Sequence, residues 1–134
     1  MASIFTRIAA GEIPCYRVAE SERCLAFLDV LPLTKGHCLV IPKKEIDYLF
    51  DIEPALYSEL FLFSKKVAQA IKKVIPCNRV GMAVIGLEVP HAHIHLVPIR
   101  HTSDISFSGP RLKMNAGEMT AIAQAISAAF TLPE

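Results

Sequence analysis

Val89-Pro90-His91-Ala92-His93-Ile94-His95-Leu96-Val97-Pro98 is the stretch from which the fold can be read. Three histidines alternate with apolar residues, and an apolar run then closes on a proline. A period of two marks a strand with unlike faces. His91, His93 and His95 are expected on one face, each about 7 Å from the next at the rise of a strand. Ala92, Ile94 and Leu96 are expected on the other, looking into a core. Imidazole is poor core filler, because its polar nitrogens need partners wherever they are buried. Three of the chain's five histidines sit in this row, so it reads as chemistry.

Outward from this strand, hydrophobic spacing supplies the other elements. Arg79 to Ile85 is mostly apolar and reads as a strand that Gly86 turns into the histidine stretch. Upstream of it, Leu56, Leu60, Phe63, Val67, Ala70, Ile71 and Val74 recur at spacings of three and four. They predict a long amphipathic helix that starts at the first-turn proline Pro54 and stops before Pro76. Tyr57, Phe61 and Leu62 lie off that stripe, which suggests a second covered surface, against a partner chain. His37-Cys38-Leu39-Val40-Ile41-Pro42 reads as a buried strand, entered through a loop marked by Pro32 and Gly36. Cys15 to Ala19 and Cys24 to Leu28 read as a hairpin about a polar turn. Ile4 to Ala10 forms a short helix stopped by Gly11, with Ile4, Phe5 and Ile8 on one side. Residues 100–114 read as loop, and Asn115 with Glu118 three residues on makes a capping box for a last helix. The sum is an α+β chain: a five-stranded antiparallel sheet, one long central helix, and a short helix at each end.

The 134 residues fit one domain with a proper core. Its 52% hydrophobic and 20% charged residues describe a globular chain, and a net charge of +1 excludes a nucleic-acid-coating or membrane-surface protein. Any nucleic-acid-like ligand is expected to be a small molecule in a pocket. Cys15, Cys24, Cys38 and Cys77 include no C-x-x-C pair, and no signal segment opens the chain, so a reduced cytoplasmic protein is expected.

Clustered histidines serve three chemistries. Zinc binding is one, but no thiol, Asp or Glu is interleaved here at ligand spacing. General acid–base work is a second, since imidazole titrates near neutrality. Nucleophilic attack on phosphorus is the third; it needs a ring held in one tautomer and donors for the oxygens of the transferring group. A middle histidine flanked by two others suits the last two. Spacing alone does not choose between base and nucleophile.

His91-Ala92-His93-Ile94-His95-Leu96-Val97 resembles the signature of the histidine triad family. Phe27-Leu28-Asp29-Val30-Leu31-Pro32, followed by His37-Cys38-Leu39-Val40-Ile41-Pro42-Lys43, is similar to that family's nucleotide-pocket segment. Ile4-Phe5 and Gly11-Glu12-Ile13-Pro14 look like its N-terminal stretch. The likeness runs from about Ile4 to Ile99, and residues 100–134 add little. It implies a homodimer with a continuous ten-stranded sheet. It also implies hydrolysis or transfer of a nucleoside monophosphate, from phosphoramidates or dinucleoside polyphosphates, through a covalent nucleotidyl-histidine. On that pattern His93 is the nucleophile, the backbone carbonyl of His91 fixes its tautomer, and His95 and His37 support the phosphate. Asp29 matches the residue that binds the ribose hydroxyls, while Phe27, Leu28 and Val30 match the lining of the base pocket. No cofactor is implied, nor a membrane or polymeric nucleic acid as partner.

The chain departs from the family's pattern in two places. Leu87 stands where a Gln is expected after Gly86, which leaves the leaving group and the preferred base open; Glu88 beside it is a candidate to protonate the leaving group. Some members hold structural zinc through an N-terminal Cys pair and a histidine, where this chain has Ser3, Thr6 and Glu45. No metal is therefore expected. A non-catalytic purine-nucleotide-binding module and a metal-binding protein stand as the alternatives.

Overall fold

The computed structural model describes residues 2–132. Five strands form one sheet: β1 (Arg17–Glu20), β2 (Cys24–Leu28), β3 (Cys38–Pro42), β4 (Arg79–Ala83) and β5 (Ile94–Ile99), in the order β1-β2-β3-β5-β4. Every neighbouring pair is antiparallel. Three α-helices complete the chain: α1 (Ile4–Ala9), α2 (Pro54–Val74) and α3 (Ala116–Ala129). None is long and apolar enough to cross a membrane.

Each helix begins where its capping chemistry sits. Ser3 Oγ accepts the Thr6 amide at the start of α1, and Glu53 accepts the Leu56 and Ala55 amides ahead of Pro54. Asn115 and Glu118 form the reciprocal box that opens α3. Such caps satisfy amides that have no partner within the helix. Lys72 and Lys73 in the last turn of α2 suit the negative end of its dipole. In the β1–β2 turn, which lacks glycine, the Ser21 amide donates to the Cys24 carbonyl, and the Cys24 amide donates to Ser21 Oγ.

Strand parity divides the molecule into two hydrophobic layers. Cys24, Ala26, Leu28, Val40, Ile94 and Leu96 face α2 and α3, joining Leu60, Phe63, Val67, Ile71 and Ile126 in the main core. Leu25, Phe27, Leu39 and Ile41 point to the other face, against Phe5 and Ile8 of α1. Ile4, expected beside Phe5, is instead exposed. The register pairs Leu39 with His95, so His95 lies on the α1 face. Tyr57 and Phe61 are half-buried and stack at 4.8 Å, whereas Leu62 is exposed and turned away into a separate cleft lined by Ser21 and Glu59. The three do not share a surface, because Leu62 is 100° of helix beyond Phe61.

Candidate active site

The histidine row is only partly a strand. β5 begins at Ile94, and residues 87–91 bend ahead of it, so only His95 of the three is in the ladder. The Ala92 amide leaves the sheet to donate to the Ile46 carbonyl at 2.7 Å. All three rings are nevertheless buried on the α1 side, and Phe5 meets both His91 and His93 edge-on, with centroids 6.0 and 5.0 Å away. His93 and His95 are 5.0 Å apart between ring centroids.

Hydrogen-bond partners decide where each ring carries its proton. His93 Nδ1 donates to the His91 carbonyl at 2.8 Å, since a carbonyl only accepts, and the neutral ring then keeps its lone pair at Nε2. At His37 the relation is reversed: the Leu33 amide donates to Nδ1 at 3.0 Å, so the proton of the neutral ring sits on Nε2. That Nε2–H donates to His95 Nδ1 at 3.0 Å, which leaves His95 with its own proton at Nε2. One backbone amide thereby sets the tautomer of two histidines in series. Burial, and then its neighbour His95, hold His37 down to about 3, and burial and then His93 hold His95 down to about 4. Both are therefore neutral at pH 7, and the 3.7 Å approach of His37 Nε2 to Asp29 is not an ion pair.

His91 turns its side chain away from this chain of rings. Its Nε2–H donates to the Pro42 carbonyl at 2.7 Å, and Nδ1 accepts from Ser3 Oγ at 2.9 Å. Thr6 Oγ1 stands 3.1 Å from the same nitrogen and donates to Glu45 at 2.7 Å. Glu45, also held by the Ser3 amide, is lowered to about 2 by these donors. The zinc site that the resemblance implies for some members does not fit these residues. Two neutral hydroxyls replace thiolates, and the ring nitrogen is already taken by a hydroxyl proton. Asp29, His37 and His95 also bring ligand atoms within 4.8 Å of one another. There His37 Nε2 carries a proton, and moving it to Nδ1 would set it against the Leu33 amide. With these nitrogens of His37 and His95 already bonded to each other, the trio is not a ready metal cage.

A cavity of about 290 Å³ opens beside the rings. Asp29, Glu88, His93 and His95 line it, with Phe5, Leu39 and the Ile85–Val89 turn around them. His37 and His91 stand behind the wall. Gly86 makes the turn with φ +76°, a conformation that favours glycine. Burial raises the Asp29 carboxyl, opposed by the Leu31 amide at 2.9 Å and by Arg111. Of the expected base-pocket residues, none is in the lining. Leu28 is buried on the opposite face of the sheet, against α2, because strand alternation sends it there. Phe27 is on the cavity side but covered by Phe5 at 5.6 Å, and Val30 is 65% exposed. Phe5, Leu39, Phe107 and Arg111 line the cavity without having been named as site residues from the sequence. For Leu39 the parity signal was available; for Phe107 and Arg111, in a segment read as loop, there was none.

A model of the HIT domain matches residues 10–102. The chain is 31% identical over 132 residues to an adenosine 5′-monophosphoramidase of Schizosaccharomyces pombe, covering 95% of this chain and 97% of that one. An uncharacterised HIT-like protein of Borreliella burgdorferi is also 31% identical over 132 residues, at 92% and 95% coverage. Among solved structures, a Hit-like protein from Bartonella henselae superposes with a TM-score of 0.84 at 28% identity, over 96% of both chains. A zinc-bound histidine triad family protein from Mycobacterium smegmatis gives 0.82 at 28% identity, over 96% of this chain and 93% of that one.

Proposed function

The chain belongs to the HIT domain family, and on that premise we propose that it is a nucleotidyl hydrolase or transferase cleaving at the α-phosphate of a nucleoside monophosphate derivative. The reading is supported above all by one geometry: a His93 ring tied at Nδ1 to the His91 carbonyl, with its lone pair at Nε2, on a cavity wall beside His95. In the first step Nε2 attacks phosphorus. The bond from phosphorus to the leaving atom breaks, and its electron pair departs with the leaving group. Water then attacks phosphorus in the nucleotidyl-histidine, and the bond from phosphorus to Nε2 breaks with its electron pair returning to His93. The water's hydroxyl goes to the nucleoside monophosphate, and its remaining proton balances the one the leaving group gains.

His95 contributes an Nε2–H, the donor that the bond from His37 leaves it, toward an oxygen of the phosphoryl group. Its depressed proton affinity keeps it a neutral donor near pH 7. The Asp29 carboxyl accepts the ribose hydroxyls. Leu39 and Phe5 offer the apolar surface for the base, the task first expected of Phe27, Leu28 and Val30. Glu88, exposed at the rim, is near enough to serve the leaving group.

Adenosine 5′-phosphoramidate is the substrate to try, since relatives from Schizosaccharomyces pombe and Saccharomyces cerevisiae are named adenosine 5′-monophosphoramidases. Protein quenched under non-acidic conditions during turnover is expected to carry one nucleotidyl group on His93. A label on His95 would overturn the roles while leaving the family unaffected. A non-catalytic nucleotide-binding module is the second reading, favoured by Leu87, whose apolar side chain is 88% exposed at the cavity rim where a polar one is usual. Full occupancy by AMP without any turnover would select it.

The reading includes a homodimer. Strand β4 ends the sheet with one side unpaired, and exposed Ile85 shares a cleft with Tyr48 and Phe50, from which an aromatic row runs on to Tyr57 and Phe61. An open strand edge beside apolar surface invites a second copy, strand to strand. Sedimentation is expected to give twice the 14.7 kDa chain mass; a monomer at micromolar concentration would remove this part.

A further inference from the structure

Residues 100–114 do more than connect β5 to α3. Phe107 packs edge-on against His95 with ring centroids 4.5 Å apart, and the Leu112 amide donates to the Pro32 carbonyl at 2.8 Å. Between these two attachments the segment delivers Arg111 to the cavity wall. The guanidinium lies 5.7 Å from the Phe107 ring centroid, and its Nη1 donates to the Leu31 carbonyl at 2.9 Å. The same Nη1 is 3.8 Å from Asp29, beyond hydrogen-bond range. Among the described residues, the bond to Leu31 is the only hydrogen bond Arg111 makes. A guanidinium has five N–H donors, so most of this one is free to take a ligand.

The charges on the cavity wall are unequal. Asp29 and Glu88 are acidic, Arg111 is the one fixed cation in the lining among the described residues, and the neighbouring imidazoles of His95 and His37 are neutral at pH 7. A phosphate group brought to His93 carries at least one full negative charge. With neutral histidines and two carboxylates around it, that charge has a single opposite partner within the cavity. Arginine suits the task, because its planar fork can hold two phosphate oxygens at once.

We propose that Arg111 is a substrate-contacting residue, its guanidinium taking the phosphate oxygens of the nucleotide while Asp29 takes the ribose. This rests on the nucleotide reading of the cavity and narrows it: what is recognised is the anionic phosphate, and the 100–114 segment is part of the site. Phe107 stiffens the arrangement by carrying the guanidinium on one side and His95 on the other. The competing role for Arg111 is mechanical, holding the Asp29–Leu31 turn in place through the Leu31 carbonyl.

Titration of AMP and of adenosine into the wild type, Arg111→Ala and Arg111→Lys, followed by NMR, separates the two. The phosphate role predicts that Arg111→Ala weakens AMP by about 10- to 100-fold, the weight of a charge-assisted hydrogen bond. Adenosine, which lacks the phosphate, is expected to bind all three alike. Arg111→Lys keeps the charge but loses the fork, and so recovers part of the AMP affinity. AMP binding to the wild type should also weaken with added salt more steeply than binding to Arg111→Ala. Equal losses for AMP and adenosine would overturn the proposal in favour of the mechanical role, and unchanged AMP affinity would overturn it outright. If Arg111→Ala does not fold, the same comparison made with Arg111→Lys decides. A wild type that binds neither compound removes the nucleotide reading itself, an outcome distinct from failure at Arg111 alone.

Discussion

The two faces of the central sheet are built from the same strands and hold opposite materials. On the α2–α3 face, Ala26, Leu28, Val40, Ile94 and Leu96 meet Leu60, Phe63, Val67 and Ile71 in an apolar layer. On the α1 face, alternate residues of the same strands stand beside His93 and His95, equally buried. The first face is held by area removed from water and tolerates no polar group without a partner. The second buries imidazoles at no such penalty, because every ring nitrogen that meets protein has a partner of the right kind: His91 with Pro42 and Ser3, His37 with Leu33 and His95, His93 with the His91 carbonyl. Among the described residues no buried side-chain nitrogen or oxygen lacks a partner. The contrast teaches that one strand can serve stability with its even-numbered positions and chemistry with its odd-numbered ones. Changes on one face should then alter a property that changes on the other leave alone.

The sharpest separation is expected from His93→Ala. Turnover should fall by about a thousandfold or more, since the attacking atom is gone and not merely weakened. AMP should still bind, and the unfolding midpoint should move little. Near-normal turnover in this variant would break the division of labour at its centre.

Leu60→Ala tests the other face. Leu60 is fully buried under the sheet, so truncation should cost about 2–5 kcal/mol of stability, read as a shift in the urea midpoint. The folded fraction should keep its catalytic constants. Loss of turnover in protein shown to be folded would mean that the two faces are coupled.

A smaller effect, visible only on the histidine face, is expected from pH. His37 and His95 have folded-state values of about 3 and about 4, both below the ordinary 6.5. In the unfolded chain they take up protons as pH falls through 6.5, whereas the folded protein excludes those protons. Their stabilising contribution is thus complete above pH 6.5 and is lost as pH falls from there, down to about pH 4 for His95 and about pH 3 for His37. Each contributes a slope of at most about 1.4 kcal/mol per pH unit. Asp29, raised by burial, works in the opposite sense within the carboxylate range. Burial, and then His95, keep His37 neutral, so His37→Gln should flatten the profile measured by chemical denaturation. A profile equally steep in that variant would move the effect to other groups.

Much of this architecture is local enough to be read from the chain. The period of two in His91–Leu96, the three-and-four spacing from Leu56 to Val74, and the Asn115–Glu118 box each depend on residues within a few positions of one another. Such patterns survive in sequence because they answer to backbone geometry. Parity also held for His95, which stands in the ladder on the face opposite Ile94 and Leu96. It failed for His91 and His93 as strand residues, since the Ile46 carbonyl captures the Ala92 amide and draws the chain out of the ladder.

What only the tertiary structure decided are the contacts made across long separations. The residues of the His37–His95 bond are 58 apart in sequence, those of the Ser3–His91 bond 88, and those of the Arg111–Leu31 bond 80. No spacing rule joins such pairs; the folded backbone brings them together. Tautomers belong to the same class, because a ring's proton position follows from the donor or acceptor it meets and not from its neighbours in the chain. The sequence determined that His91, His93 and His95 run together just before and within the last strand, because their spacing is local. The fold decided which nitrogen of each ring is bare, that Leu28 serves the core, and that Phe107 and Arg111 close the cavity, because hydrogen-bond partnership and burial exist only once distant segments are packed.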